Sequence, residues 1–130
     1  MTDNPADGIV LTDTGSSSSW TARQLVRPGL RRNPRRAHLL VSTVLGKHIP
    51  VDPDVVIGAG EELAGLVAAA VGGSDVDVLG FAETATGLGH TVATALDARC
   101  YVHSTRRTVP GMTVHGEFEE GHSHATDHLL

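Results

Sequence analysis

Aromatic side chains are scarce: Trp20, Phe81, Tyr101 and Phe118 are the whole set in 130 residues. A core must therefore be built from Val, Leu, Ala and Ile, each of which buries less area than an aromatic ring. Cysteine is scarcer still, Cys100 standing alone, which excludes an internal disulfide and leads us to expect a cytoplasmic setting. No apolar run approaches the roughly 20 residues that cross a bilayer, so no membrane partner is expected. Met1-Thr2-Asp3-Asn4 also lacks the basic-then-apolar pattern of a secretory leader. Acidic residues are missing between positions 14 and 51, although the chain carries a formal charge of -5. Seven of the 10 Lys and Arg residues fall between positions 23 and 47. The acidic balance argues against nucleic acid as a partner, while the basic segment suits small anions.

Along the chain, residues 1–19 end in Gly15-Ser16-Ser17-Ser18-Ser19, a flexible N-terminal segment by composition, with a short strand expected at 8–13. Residues 20–26 are mildly apolar. The stretch 36–45 carries Ala37, Leu39, Leu40, Val41, Val44 and Leu45, spaced for a short amphipathic helix that Gly46 would close. Pro50 and Pro53 predict extended chain over 47–53. Val55-Val56-Ile57-Gly58-Ala59-Gly60 is apolar and then Gly-rich. A helix is expected over 61–71, with Glu61 and Glu62 in its first turn and Gly72-Gly73 as its stop.

The most legible part follows. Residues 76–81 form an apolar run that fits a buried strand, 82–87 a turn of small residues, 88–98 a helix, and Cys100-Tyr101-Val102-His103 a second strand. Strand, turn, helix and strand within about 30 residues make a right-handed βαβ unit with parallel strands. After Ser104 the regular pattern dissolves.

A turn of small residues that opens a helix suits an anion, because the N–H groups of the first helical turn point outward and the helix dipole favours negative charge. Ala82, Glu83, Thr84, Ala85, Thr86 and Gly87 have the right sizes. The plainer alternative is an ordinary turn with Thr84 or Thr86 as helix cap. Glu83 repels a bare phosphate, and makes sense if a Mg²⁺ ion or a ribose hydroxyl stands between them. Gly58-Ala59-Gly60 and Gly87-Leu88-Gly89 lack the third small residue of a dinucleotide loop. Ser104, Thr105, Arg106 and Arg107 leave the second strand at its C-terminal end, where ligands bind in open α/β sheets, and paired arginines suit phosphate oxygens. His122, His124 and His128 offer a different possibility, a Zn²⁺ site, since His124 and His128 are spaced to share a helix face.

Several segments together resemble one family: Asn33-Pro34-Arg35-Arg36-Ala37-His38-Leu39-Leu40-Val41-Ser42, Leu45-Gly46-Lys47-His48-Ile49-Pro50, Gly80-Phe81-Ala82-Glu83-Thr84-Ala85-Thr86-Gly87-Leu88-Gly89-His90, His103-Ser104-Thr105-Arg106-Arg107 and Glu119-Glu120-Gly121-His122-Ser123-His124-Ala125. Over residues 20–130 the chain is similar to the phosphoribosyltransferase-like domains encoded in bacterial tellurium-resistance and stress-response gene clusters. The resemblance implies an α/β fold of the type I phosphoribosyltransferase kind, a Rossmann-like parallel sheet with flanking helices. It implies a hood at 20–75, the βαβ unit at 76–104 and a mobile loop at 105–130. Residues 82–87 would hold the pyrophosphate of phosphoribosyl pyrophosphate or of a nucleotide-like relative. Ser104, Thr105, His122, Ser123 and His124 would line the substrate. Arg106, Arg107 and Lys47 would serve catalysis, with His48 beside Lys47, and Glu83 would reach Mg²⁺. The sequence leaves the oligomeric state open, a homodimer included. Type I enzymes also carry an acidic pair followed by a Thr-Gly turn, for the ribose and its 5′-phosphate, and residues 1–130 contain none. The expectation is a transferase domain that is truncated and inactive in this form. The alternatives are a non-catalytic nucleotide- or phosphate-binding module and a His-rich metal binder.

Overall fold

In the computed structural model the residues described are 18–30, 32, 38–73, 75–119 and 127–129. The strand expected at 8–13 lies outside them, as do the basic residues 33–36.

A short helix α1 (Ala22–Leu25) runs into strand β1 (Val26–Leu30), which pairs antiparallel with β2 (His38–Ser42). The register sets Val26 opposite Ser42 and Leu30 opposite His38. Residues 38–42 are therefore a strand, and the amphipathic helix expected over 36–45 does not form. Pairing decides the matter: Gly29 and Val41 meet across the ladder so closely that a Cβ on Gly29 would lie 2.9 Å from the Val41 side chain. Tertiary contact of this kind overrides a weak local period.

Helix α2 (Pro53–Val71) begins eight residues before the expected start. Pro53 does not block it, because a proline in the first helical turn forgoes an N–H that has no helical partner there. Asp52 caps the helix, its carboxylate accepting the Asp54 N–H at 3.0 Å. Gly72, at φ 78°, ends it in the left-handed conformation that glycine adopts without strain.

Strand β3 (Asp77–Gly80), helix α3 (Thr84–Ala95) and strand β4 (Cys100–His103) form the expected βαβ unit, with β3 and β4 parallel and Gly80 in register with His103. Helices α2 and α3 pack on each other. Ala64 of α2 meets Val92 and Leu96 at the centre of the core, and Val67, Val76, Val78 and Leu88 close around it. Gly60 is the point of closest approach, since any side chain there would run into Thr91. The other face of the β3–β4 sheet is uncovered among the described residues: Leu79 is 48% exposed and Val102 51%. The strand expected to be buried is thus covered on one face only among the described residues. At its outer end Asp77 holds Arg99 through two hydrogen bonds, 3.2 and 2.5 Å.

The segment after β4 is not featureless. Strands β5 (Glu117–Glu119) and β6 (Asp127–Leu129) pair antiparallel. Leu129 returns to Thr105 through a reciprocal backbone pair, 3.0 and 2.7 Å, so the end of this hairpin meets the chain just past β4.

Candidate functional site

The parallel strands place two loops side by side. β3 runs into residues 81–83 and β4 into 104–107, both at the C-terminal edge of the sheet. Ser104 joins them. Its N–H donates to the Gly80 carbonyl at 3.0 Å, extending the ladder by one step, and its Oγ accepts the Ala82 N–H at 2.9 Å. Ser104 is fully buried, so these bonds form where water does not compete.

The turn is shorter than the sequence suggests. Helix α3 already begins at Thr84, and neither Thr84 nor Thr86 is its cap; Glu83 occupies that position. Its carboxylate makes no capping bond. It lies instead against Arg106, with Oε1 3.4 Å from Nη1. The Glu83 side chain is 69% exposed and that of Arg106 only 19%. The arginine is thus held by the protein and the carboxylate stands in solvent. The Ala82–Glu83 peptide bond is cis. Further round the turn, the Ala85 N–H donates to the Phe81 carbonyl at 3.0 Å and the Thr86 N–H to the Glu83 carbonyl at 3.3 Å.

Tyr101 fixes the first turn of α3 from below. Its hydroxyl donates to the Thr86 carbonyl at 2.6 Å, and burial pushes the phenol up from its ordinary pKa. The ring fits only because Gly80 and Gly89 carry no side chains: a Cβ on Gly89 would lie 2.9 Å from it, and one on Gly80 3.0 Å from its hydroxyl. His90 meets the ring edge-on at 5.7 Å. His103, two residues past Tyr101, has Nδ1 2.9 Å from the Ser104 carbonyl; a carbonyl only accepts, so Nδ1 is the protonated nitrogen. Tyr101 was not among the residues expected at the site. Its signal in the sequence is a lone aromatic on the second strand facing two glycines, one on each side of the turn.

Other expected residues fall as follows. Thr105 accepts the Arg107 N–H on its Oγ1 at 3.2 Å, and the Arg107 side chain is exposed. Gly87 is exposed within α3. Lys47 and His48 are exposed on the bend 43–49, which approaches α2 where Gly46 faces Val56. His122, Ser123 and His124 lie outside the described residues, and with them the proposed Zn²⁺ site. Phe118 of β5 packs edge-on against Phe81 at 5.1 Å, bringing the hairpin beside the turn.

A concavity lies between the α1–β1–β2 segment and α2. It measures about 330 Å³ and is lined by Trp20, Leu25, Val44, Leu63, Leu66 and Leu88 among others. Glu62 at its rim accepts hydrogen bonds from Ser18 Oγ, the Ser19 N–H and Ser19 Oγ, all on Oε1 at 2.8–3.1 Å. These bonds hold its carboxyl below the usual range, the Ser19 N–H contributing most.

A two-stranded parallel βαβ unit whose C-terminal loops meet over a buried serine, accompanied by two antiparallel strand pairs, is a small α/β architecture consistent with a phosphoribosyltransferase-type fold. The chain belongs to the phosphoribosyl transferase family, whose family model matches residues 25–130. No curated protein and no solved structure matches it. Among the described residues no helix is long and apolar enough to cross a membrane.

Proposed function

We propose that this domain takes the pyrophosphate end of a ribosyl pyrophosphate, or of a nucleotide-like relative, between the turn 81–87 and the loop 104–107, in the service of pentosyl transfer. The observation that carries the reading is the meeting of Arg106 with the N-terminal turn of α3, in a chain of the phosphoribosyl transferase family. With its side chain at 19% exposure, Arg106 is already partly stripped of water and loses less hydration on binding an anion. The helix N-terminus adds its dipole. In pentosyl transfer an acceptor nucleophile forms a bond to ribose C1 while the bond from C1 to the pyrophosphate oxygen breaks, and that electron pair leaves with the oxygen. Arg106 and the turn would stabilise that charge as it grows.

Mg²⁺ fits this arrangement in one way. Among the described residues no group of three or more His, Cys, Asp or Glu could hold a metal by itself. Mg²⁺ is commonly held by one or two carboxylates together with substrate phosphates, and Glu83 is the carboxylate on the turn. Glu83 would hold the ion jointly with the anion, and the ion would neutralise part of the pyrophosphate charge. The gene setting of tellurium resistance and stress response belongs to the same proposal.

Isothermal titration with pyrophosphate and Mg²⁺ tests it. Arg106→Gln should weaken binding, and the loss should shrink as salt rises, because the contribution is charge. Thr86→Phe should abolish binding while circular dichroism stays that of the parent. Unchanged affinity in Arg106→Gln would sink the proposal.

A further inference from the structure

The cavity between the α1–β1–β2 segment and α2 has one charge in its wall. Its volume, about 330 Å³, falls at the small end of ligand sites, roughly 300–1,000 Å³. The walls are apolar except at Ser18, Ser42 and Glu62. Both serines are engaged within the protein. Ser42 Oγ accepts the Val44 and Leu45 N–H groups at 3.2 and 3.1 Å. Ser18 Oγ donates to Glu62 Oε1 and accepts the Trp20 N–H, both at 3.0 Å. Glu62 is different. Its Oε1 takes three hydrogen bonds, all from the neutral donors of Ser18 and Ser19, so its charge is oriented without being cancelled. Among the described residues its Oε2 accepts no hydrogen bond and no cationic side chain pairs with it.

From this arrangement we infer that the cavity is a binding site for a small organic cation, an ammonium group on a body of one aromatic ring. The ammonium meets the Glu62 carboxylate and the ring enters the apolar walls beside Trp20. Charge complementarity selects this occupant. Apolar walls hold water poorly, so an apolar body gains by replacing it. A neutral body would also strip water from Glu62 and return nothing for it, and an anion would be repelled. A cation returns a charge-assisted hydrogen bond to the open oxygen. One ring suits the volume, and Trp20 offers it an aromatic neighbour. The site is also held ready. The bonds from Ser18 and Ser19 fix Glu62, and Ser18 ties the Trp20 backbone to the same turn. None of residues 81–87 or 104–107 lines this cavity, so the inference does not rest on the diphosphate reading.

Three probes with the same ring and different charge test it on the full chain: 2-phenylethylamine, 2-phenylethanol and phenylacetate. Affinities are measured by calorimetry at neutral pH, for the parent and for Glu62→Gln. Nuclear Overhauser contacts locate the bound ring in the parent without need of a variant. The amine should bind about fivefold more tightly than the alcohol, as a partly exposed ion pair allows, and phenylacetate should bind least. The preference for the amine should shrink as salt rises and vanish in Glu62→Gln. The amine's ring protons should show contacts to the Trp20 indole. If the alcohol binds the parent as tightly as the amine, the carboxylate selects nothing and the inference fails. If the preference survives in Glu62→Gln, the cation sits elsewhere and the inference fails. Contacts that omit Trp20 would overturn it in the same way. If no probe binds, the inference fails as well, and the cavity is then filled by another part of the chain or by a second copy.

Discussion

Ser104 Oγ accepts the Ala82 N–H at 2.9 Å, and through that bond the end of one parallel strand holds the turn that follows the other. The two residues are 22 positions apart. The bond is made by a side chain with no exposure to solvent.

Ser104→Ala removes the acceptor and leaves the Ala82 N–H without it. Losing such a partner away from water costs about 1–3 kcal/mol. The variant should melt below the parent and bind pyrophosphate more weakly, since the turn loses its tie to the loop of Arg106. A parent-like melting temperature would contradict the tie.

Tyr101→Phe deletes the bond from the phenol to the Thr86 carbonyl. The expected loss is about 1 kcal/mol, read by urea unfolding. The pH dependence has a definite sign. Burial raises the Tyr101 pKa in the folded chain, so its contribution to stability is fully present below the ordinary tyrosine range. That contribution declines as pH rises through the ordinary value towards the raised one. The parent should therefore lose stability on the alkaline side more steeply than Tyr101→Phe. Parallel alkaline profiles would show that the phenol is not buried as described.

Gly60→Ala and Gly65→Ala should act in opposite directions although both lie within α2. A methyl at Gly65 meets nothing within 4 Å, and the change should stabilise by about 0.8–1 kcal/mol through helix propensity. A methyl at Gly60 would strike Thr91 and approach its backbone carbonyl carbon to 3.2 Å. Overpacking of this kind costs about 1–3 kcal/mol and outweighs the propensity gain. Thermal melts of the two variants decide it, and stabilisation by both would mean that the helices do not cross at Gly60.

Residues 1–130 contain no adjacent acidic pair followed two positions later by Thr-Gly. On the proposed reading, the polypeptide of these residues alone should bind pyrophosphate without turning over phosphoribosyl pyrophosphate. Pyrophosphate release above a no-protein control would overturn that expectation.

The βαβ unit was readable because each of its parts has a local signature: an apolar run, a turn of small residues, an apolar period and a second run. The residues at its loops were readable for the same reason, since parallel strands bring their C-terminal ends together. What failed depends on partners remote in sequence. His38–Ser42 looks helical until β1 is there to pair with it. The start of α2 was missed because Pro50 and Pro53 were read alike, whereas Pro53 behind Asp52 is a start signal and Pro50 is not. The Glu83–Arg106 pair and the Tyr101–Thr86 bond join residues 23 and 15 positions apart, and no spacing rule reaches that far.

Trp20, the single tryptophan of the chain, lines the apolar cavity between the α1–β1–β2 segment and α2. The molecule thereby carries its own optical gauge. Indole emission shifts to the red as water reaches the ring, so a red shift that precedes the loss of helical circular dichroism would mark the α1–β1–β2 segment lifting from α2 while the βαβ unit stays folded. Coincident transitions would mark the α1–β1–β2 segment and the βαβ unit as one cooperative body.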